Sequence, residues 1–225
     1  MSLQATHLRF SLSIKDDLGV SDMEKYVAGS IYPDTRYLSG VSRKLTHNLD
    51  YFAGKKDLGD FEKGWLSHIV ADLAFYEIVE EKFGDLILYE DYEQQVLVMA
   101  AIKIVQDMED FSSFDIQPVI DHLDYFETRF HEDERKVSEY NGIIKHLYKG
   151  KAKIAAEDYL EMRRRMGRTA ENNAQVKKKL IELHRDDTLI ENIKSNFEDM
   201  MDLYRDEYRA ALADKGIGVF GKSDG

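Results

Sequence analysis

Apolar residues recur at spacings of three and four along most of the chain, which is the period of an α-helix with one buried face. The longest such stretch extends from Leu58 to Phe83. Its stripe combines apolar and aromatic side chains with a histidine and an aspartate: Phe61, Trp65, His68, Ile69, Asp72, Phe75, Tyr76 and Val79. The pattern therefore predicts a helix whose buried face carries His68 and Asp72.

The same spacing predicts helices through most of the remaining sequence. The first of them has an apolar stripe of Val96, Met99, Ala100, Val105 and Met108. Three more are expected at 119–130 after Pro118, at 137–147 with a stop near Gly150, and at 155–166 before Gly167. A long terminal helix is expected at 189–213, followed by a tail that frays from Lys215.

One segment in the N-terminal third is predicted to be a loop. Helix-breaking residues are concentrated within a short stretch there: Gly29, Ser30, Pro33, Asp34, Ser39 and Gly40. The loop is expected to join a short N-terminal segment to the next helix. Loops of this kind often carry functional residues.

Composition supports an all-α fold in one domain. The chain has 225 residues, 43% of them hydrophobic, and only two prolines. Such a chain can form long helices and bury one substantial core. We therefore expect residues 1–225 to form a single all-helical domain.

Acidic residues outnumber basic ones, 43 to 31, which gives a net charge of -12. This charge repels nucleic acid, so general nucleic-acid binding is not expected. Residues 149–180 are the exception, with ten basic and four acidic side chains. They predict solvated helix faces, because consecutive Arg163, Arg164 and Arg165 cannot share one face, although an anion-binding role stays open.

The N-terminus has no basic segment followed by an apolar one, and no stretch approaches the roughly 18 apolar residues of a transmembrane helix. A cytoplasmic protein without a transmembrane segment is therefore expected, and its oligomeric state is left open. The sequence contains no cysteine. Any metal site consequently has to use histidine nitrogen and carboxylate oxygen.

His68 and Asp72 are four residues apart, so a helix places them on one face where both can reach the same ion. An ionised aspartate on an apolar face costs several kcal/mol unless it is paired or binds a metal. A buried hydrogen bond between the two side chains is the structural alternative. Considered alone, this helix slightly favours that alternative.

Three more residues of ligand type precede this pair: His7, Asp34 and His47. The segments Gly29-Ser-Ile-Tyr-Pro-Asp34, Thr46-His47 and Gly64-Trp-Leu-Ser-His68-Ile-Val-Ala-Asp72 occur in an order that resembles the bacterial zinc-dependent phospholipase C family. The resemblance covers roughly residues 5–80. That family and the related single-strand-specific zinc nucleases have an all-helical fold and a cluster of zinc ions that cleaves phosphate esters.

The resemblance implies a multi-helix bundle of the zinc-dependent phospholipase C type. Its metal-site region is 5–80, its helical remainder 85–214 and its frayed tail 215–225. A metal-dependent phosphoric-ester hydrolase is thereby implied, with a small phosphate ester as the substrate. Ile78 stands where a further histidine ligand is implied, so one or two divalent ions, zinc by preference, are expected.

The resemblance also assigns roles to the five ligand-type residues. Asp34, His47 and His68 are similar to ligands of one ion. His7 and Asp72 are similar to ligands of a second ion, with Asp72 bridging the two. Asp34 additionally resembles the group that activates the attacking water, which makes it the expected catalytic residue.

The alternative hypothesis is a non-catalytic helical protein that binds a metal or acts as an interaction module. Two other helical metalloprotein classes are disfavoured. A His-Asp dyad phosphohydrolase needs an adjacent His-Asp pair, but only Asp121-His122 occurs, in reverse order. The Glu-x-x-His motif of ferritin-like di-iron proteins is absent. Arg36 and Arg43, close to two of the proposed ligands, are expected either to pair with acidic residues or to contact a phosphate.

Overall fold

The computed structural model describes residues 3–88 and 91–217. Within these ranges the chain forms α-helices joined by short turns and loops, and it contains no strand. No helix in the same ranges is long and apolar enough to cross a bilayer. The expected all-α class is confirmed, whereas the phospholipase C type stays a prediction.

The helices, in chain order, are α1 Gln4–Ile14, α2 Met23–Ile31, α3 Arg36–Ser39, α4 Arg43–Thr46, α5 Asp60–Leu88, α6 Tyr92–Ser113, α7 Glu134–Tyr148, α8 Ala156–Arg165, α9 Ala170–Leu183, α10 Asp187–Lys194, α11 Asn196–Leu203 and α12 Arg209–Asp214. Turns of 3₁₀ helix cover Tyr32–Thr35, Leu49–Phe52 and Gln117–Asp124, and a π-helical turn covers Tyr204–Tyr208. The long α5 packs against α1, α2, α6 and α11. α6 in turn packs against α1, α9 and α10.

α2 and α5 cross at two glycines, which lets their backbones touch. A Cβ atom on Gly29 would lie 2.0 Å from the Phe61 carbonyl oxygen, and one on Gly64 would lie 2.0 Å from the Tyr26 carbonyl oxygen. Only glycine allows so close an approach. Gly29 is therefore a packing residue inside a helix. The predicted loop is wrong, because the segment is helical up to Gly40, whose φ of 74° ends α3.

Four of the predicted helices are confirmed: α5, α6, α7 and α8. Gly150 and Gly167, with φ of 71° and 85°, follow α7 and α8 in the left-handed conformation expected after a helix. The sequence did not predict α1 or α2. In α1, eight of the eleven residues are buried, several of them polar. A helix without a polar face lacks the alternation from which helices are predicted.

The helix predicted at 119–130 is wrong. Only the 3₁₀ turn Gln117–Asp124 forms, and the chain is not helical from 125 to 133. The Glu132 carboxylate accepts hydrogen bonds from the backbone N–H groups of Arg129 and Phe130, each at 2.8 Å. Because a side chain satisfies these donors, the segment needs no helix.

The apolar stripe predicted for α6 is half correct. Val105 is buried, but Val96 is 45% exposed. Val96, Met99 and Ala100 line a cavity, whereas the core face includes Leu97, Val98, Ala101, Ile102 and Val105. Since α6 is apolar on two faces, spacing alone could not select the one that packs in the core.

The long helix predicted at 189–213 is interrupted at Ser195, between α10 and α11, and again by the π-helical turn before α12. At the predicted frayed tail, Ile217 is only 2% exposed. The backbone N–H of Gly54 donates to the Lys215 carbonyl at 3.1 Å. Fraying therefore does not begin at Lys215, and residues 218–225 lie outside the described residues.

Candidate metal centre

The structure brings together the five side chains that the sequence proposed as metal ligands. Ligand atoms of His7, His68 and Asp72 lie within 4.8 Å of one another, and so do those of Asp34, His47 and His68. These residues come from α1, from the 3₁₀ turn after α2, from the end of α4 and from α5. The two clusters, which share His68, could hold a metal ion.

Separations between the ligand atoms suit metal coordination better than direct hydrogen bonds. His7 Nε2 is 3.5 Å from Asp72 Oδ1. His47 Nε2 is 3.4 Å from Asp72 Oδ2 and 3.8 Å from Asp34 Oδ1. An N–H···O bond prefers about 2.7–3.2 Å. Two ligand atoms at about 2.0–2.1 Å from a tetrahedral ion are about 3.3 Å apart, close to the separations seen here.

Asp72 connects the two clusters. Its Oδ1 faces His7 and its Oδ2 faces His47, so each oxygen lies beside a different imidazole. Burial alone raises the pKa of Asp72, but the groups around it, the His47 side chain among them, outweigh burial and hold this pKa well below its usual value. An ionised carboxylate placed between two histidines is the arrangement expected of a bridging ligand.

His68 has one nitrogen available for a metal. Its Nδ1 lies 2.8 Å from the Ser30 carbonyl oxygen. A carbonyl only accepts, so Nδ1 carries the proton. Burial lowers the pKa of His68 to about 4, which keeps the ring neutral. The lone pair therefore resides on Nε2, a buried atom that has no hydrogen-bond partner among the described residues.

The His7 ring stacks on the His68 ring, with centroids 3.6 Å apart. Burial, assisted by the neighbouring His68, lowers the pKa of His7 well below its usual value. Both rings are consequently neutral at physiological pH. Neutral imidazole is the form that binds metal ions.

Trp65 holds His47 in place. Its indole N–H donates to the Thr46 carbonyl oxygen at 2.6 Å. The Thr46 hydroxyl lies 2.8 Å from His47 Nδ1. His47 Nε2 is buried and has no hydrogen-bond partner among the described residues. Such outer contacts orient a histidine toward a metal.

Gln4 orients Asp34. The sequence did not identify Gln4 as a residue of the site. Its Nε2 donates to Asp34 Oδ2 at 2.9 Å and to the Tyr140 hydroxyl at 2.6 Å. Oδ1 of Asp34 is left without a hydrogen-bond partner among the described residues. Gln4 stands three residues before His7, so helical spacing could have placed both on one face, but α1 was not predicted.

A further buried carboxylate, outside the candidate site, anchors α1. Asp107 accepts hydrogen bonds from the Thr6 backbone N–H at 2.9 Å, from the Tyr148 hydroxyl at 2.5 Å and from the Tyr159 hydroxyl at 2.8 Å. Burial raises the pKa of Asp107 to about 6. It belongs to neither ligand cluster. Its role is to fix the helix that carries His7 and Gln4.

A cavity of about 640 Å³ adjoins the ligands. Of the five, Asp34 is the one found among the described residues that line it. Arg36 and Arg43 also line it. Arg43 Nη2 is 3.3 Å from Asp72 Oδ2, and Arg36 Nε is 3.9 Å from Asp34 Oδ1. Both arginines thus contact the ligand carboxylates and border the space where a substrate could bind.

His122 is not brought into the site. It lies in the 3₁₀ turn Gln117–Asp124 and is partly buried there. Neither ligand cluster of the described residues includes it.

Comparisons of the chain with models of protein families, with curated proteins and with solved structures found no match. The resemblance to the zinc-dependent phospholipase C family therefore rests on the ligand-type residues and their order along the chain.

Proposed function

We propose that this protein is a metal-dependent phosphoric-ester hydrolase similar to the zinc-dependent phospholipase C family. Its ligands are His7, Asp34, His47, His68 and Asp72, and its metal is zinc by preference. The observation that carries the proposal is the pair of buried ligand clusters sharing His68. In addition, Asp34 borders a cavity of a size typical for small-molecule sites.

The geometry favours one or two ions. His68 offers only Nε2, because its Nδ1 lies against the Ser30 carbonyl, so it can serve one ion. Asp72 has an oxygen beside His7 and another beside His47, and can serve both. Asp34, His47 and His68 would accordingly hold the first ion, and His7 and Asp72 would hold the second. Because each ion would have so few protein ligands, coordination positions stay open for water or substrate, as a catalytic site requires.

A divalent ion held here would supply Lewis acidity, which polarises a phosphate ester and lowers the pKa of an attacking water. Asp34 Oδ1 accepts the proton of that water. Gln4, bound to Oδ2, fixes the carboxylate in the required orientation. Arg43 borders the cavity and can donate to the non-bridging phosphate oxygens. Water attacks phosphorus and the P–O bond to the alcohol breaks. The leaving oxygen takes up a proton from solvent, and Asp34 releases the proton of the attacking water to solvent.

A non-catalytic metal-binding protein is the second candidate. One observation favours it: Ile78, at the position of a further ligand in the resembled family, is apolar and only 6% exposed. The third metal of that family has no counterpart at this position. A structural metal would be closed by protein ligands, whereas a catalytic one keeps a water position.

Metal content is the first test. The protein is purified without chelators or a metal-binding tag and analysed by elemental mass spectrometry. We expect one or two equivalents of zinc, iron or manganese in the wild type and less in His68→Ala. His184→Ala is the matched control, since His184 Nδ1 also lies 2.7 Å from a carbonyl oxygen but belongs to neither cluster. Equal metal content in all three proteins would refute the ligand assignment.

Hydrolysis is tested next with p-nitrophenyl phosphate and bis(p-nitrophenyl) phosphate. Asp34→Asn retains the shape of the side chain but loses the charge that accepts the proton. We expect it to lose most turnover, and metal content is measured on the same sample to separate binding from catalysis. Full activity of Asp34→Asn would exclude the role assigned to Asp34. A metal-loaded wild type that hydrolyses neither ester supports the non-catalytic candidate.

A further inference from the structure

The cavity beside Asp34 extends to the end of α8, where its lining is basic. Its charged lining consists of five cationic and two acidic side chains: Arg36, Arg43, Lys103, Arg163, Arg168, Asp34 and Glu80. This cationic excess contrasts with the net charge of -12 carried by the whole chain. A cavity that concentrates positive charge in an acidic protein attracts an anion.

The cationic side chains near the ligands differ from those near α8. Arg36 and Arg43 already lie beside the carboxylates of Asp34 and Asp72. Arg163 forms no ion pair with a described carboxylate, and its hydrogen bonds to described residues go to amide oxygens. Arg168 likewise has no ion pair among the residues that the structure describes. The positive charge at this end of the cavity is therefore not balanced by the described protein groups.

Neutral partners hold Arg163 in a fixed orientation. Its Nε donates to Asn173 Oδ1 at 3.1 Å, and its Nη2 donates to Asn172 Oδ1 at 2.7 Å. A guanidinium has five N–H donors, so several stay available. The asparagines orient the group without neutralising it, which prepares a guanidinium to bind an anion through two parallel hydrogen bonds.

The environment of Arg163 favours an anion for a second reason. Burial lowers the pKa of Arg163 to about 10, and the charge of Arg168 acts in the same direction. The two like charges of Arg163 and Arg168 repel each other, and a bound anion would relieve that repulsion.

Tyr37 links this end of the cavity to the candidate metal centre. Burial is the main cause of the raised pKa of Tyr37, the negative charge of Asp34 raises it further, and the positive charge of Arg168 lowers it. The charges of both groups therefore act on the Tyr37 ring. Tyr37 also lines the cavity, so a single ligand can extend past it from Asp34 to Arg168.

Building on the proposed function, we infer that the substrate is a phosphate ester with a second anionic group that binds Arg163 and Arg168. The ester phosphate then lies at Asp34 and the metal ligands. Val96, Met99 and Met166 line the same cavity, which suits an apolar connection between the two anionic groups. Phosphate and carboxylate share the chemistry that a guanidinium recognises, and the choice between them is left to experiment.

The test uses non-hydrolysable ligands and isothermal titration calorimetry on the full-length protein. Alkane bisphosphonates of increasing chain length are compared with alkylphosphonates and carboxyalkylphosphonates of equal length. At the best length we expect the bisphosphonate to bind about 10- to 100-fold more tightly than the alkylphosphonate. A similar gain for the carboxyalkylphosphonate identifies carboxylate as an acceptable second anion, and its absence identifies phosphate.

The double variant Arg163→Gln, Arg168→Gln is expected to lose this preference while its affinity for the alkylphosphonate stays within about two-fold. The control Arg164→Gln, Lys178→Gln makes the same charge change outside the cavity, and it is expected to retain the preference. Arg164 pairs with Glu161 and Lys178 with Glu182. Because Arg163→Gln removes two hydrogen bonds and could disturb folding, the exposed Arg168→Gln is also measured alone. We expect it to lose part of the preference.

Three outcomes overturn the inference. The first is equal affinities for bisphosphonates and alkylphosphonates at every length, the second is a preference that survives in the double variant, and the third is failure of both compounds to bind. If the alkylphosphonate binds a metal-loaded protein without any preference, the proposed function survives and the second anion site does not. If the protein binds no metal but still shows a preference that depends on Arg163 and Arg168, the anion site survives and the proposed function fails.

Discussion

Replacing Gly64 by alanine tests whether the backbone contact between α2 and α5 positions the candidate site. The new Cβ would lie 2.0 Å from the Tyr26 carbonyl oxygen and 2.8 Å from the Ser30 nitrogen. Ordinary contact begins near 3.4 Å, so the helices have to move apart by about 1.4 Å at this point. Backbone atoms on both sides make this adjustment difficult.

The energetic effect has two opposing parts. Overpacking of this kind costs about 1–3 kcal/mol or more. Alanine in a helix interior gains about 1 kcal/mol over glycine. Because the clash involves backbone rather than a flexible side chain, we expect a cost near the upper end of this range and a net loss of about 2 kcal/mol in the free energy of unfolding.

The same displacement affects the metal centre. His68 Nδ1 and the Ser30 carbonyl oxygen are 2.8 Å apart across this crossing. A shift of more than about 1 Å takes them beyond hydrogen-bonding distance. Loss of such an outer contact typically weakens metal binding about 10- to 100-fold. We therefore expect Gly64→Ala to lower both stability and metal affinity.

The measurement is urea denaturation of the metal-free protein, followed by metal titration of the folded variant. Gly142→Ala is the matched control, because Gly142 lies within α7 and a Cβ there meets no atom within 4 Å. We expect that control to gain about 0.5–1 kcal/mol. A Gly64→Ala protein as stable as Gly142→Ala, with unchanged metal affinity, would refute the reasoning.

Three further predictions follow from the contacts around the ligands. Burial lowers the pKa of His68 to about 4, compared with about 6.5 in the unfolded chain. The neutral His68 therefore contributes up to about 3 kcal/mol to the free energy of unfolding. This contribution is complete above pH 6.5 and is lost as the pH falls toward 4. Urea denaturation of the metal-free wild type and of His68→Gln should therefore show a stability difference that changes below pH 6.5, and parallel pH profiles would contradict this. Asp107→Ala leaves several buried donors unsatisfied and should lower the free energy of unfolding by about 3 kcal/mol or more. Thermal and urea denaturation measure this loss. A loss below about 1 kcal/mol would show that Asp107 does not anchor α1. Trp65→Phe keeps an aromatic ring but removes the N–H that holds the chain beside His47. Metal affinity should therefore fall about ten-fold with little change in helix content. A metal titration identical to that of the wild type would exclude this role of Trp65.

The five ligand-type residues could be found from the sequence because each stands in a setting that does not otherwise explain it. His68 and Asp72 interrupt an apolar stripe, and Asp34 follows a proline in a segment rich in small residues. The resemblance to the zinc-dependent phospholipase C family was based on the order of these five residues along the chain. Periodicity also predicted α5, which is long and has aromatic residues on its buried face.

Other parts of the site could not be predicted, for physical reasons. Gln4 acts from α1, a helix buried on most sides, so its sequence lacks the alternation that identifies helices. Ser30 contributes its backbone carbonyl, which has no signature in the sequence. Gly29 was interpreted as a helix breaker because a sequence does not reveal that another helix approaches its backbone.

The segment 149–180 illustrates the same difficulty. Its arginines were expected to be solvated, and Arg164 indeed pairs with Glu161 at the surface. Arg163, the preceding residue, instead lines the cavity. Consecutive positions on a helix point about 100° apart, so a charge count over a window cannot distinguish them.

The crossing of α2 and α5 has a consequence for how this architecture can change over time. Gly29 precedes Asp34 by five positions, and Gly64 precedes His68 by four. Main-chain contact at the two glycines, rather than the shapes of the surrounding apolar side chains, sets the distance between the segments that carry these ligands. Many combinations of core residues are compatible with that contact. Distant relatives should therefore be recognisable by the interval between glycine and ligand even where their cores no longer resemble each other.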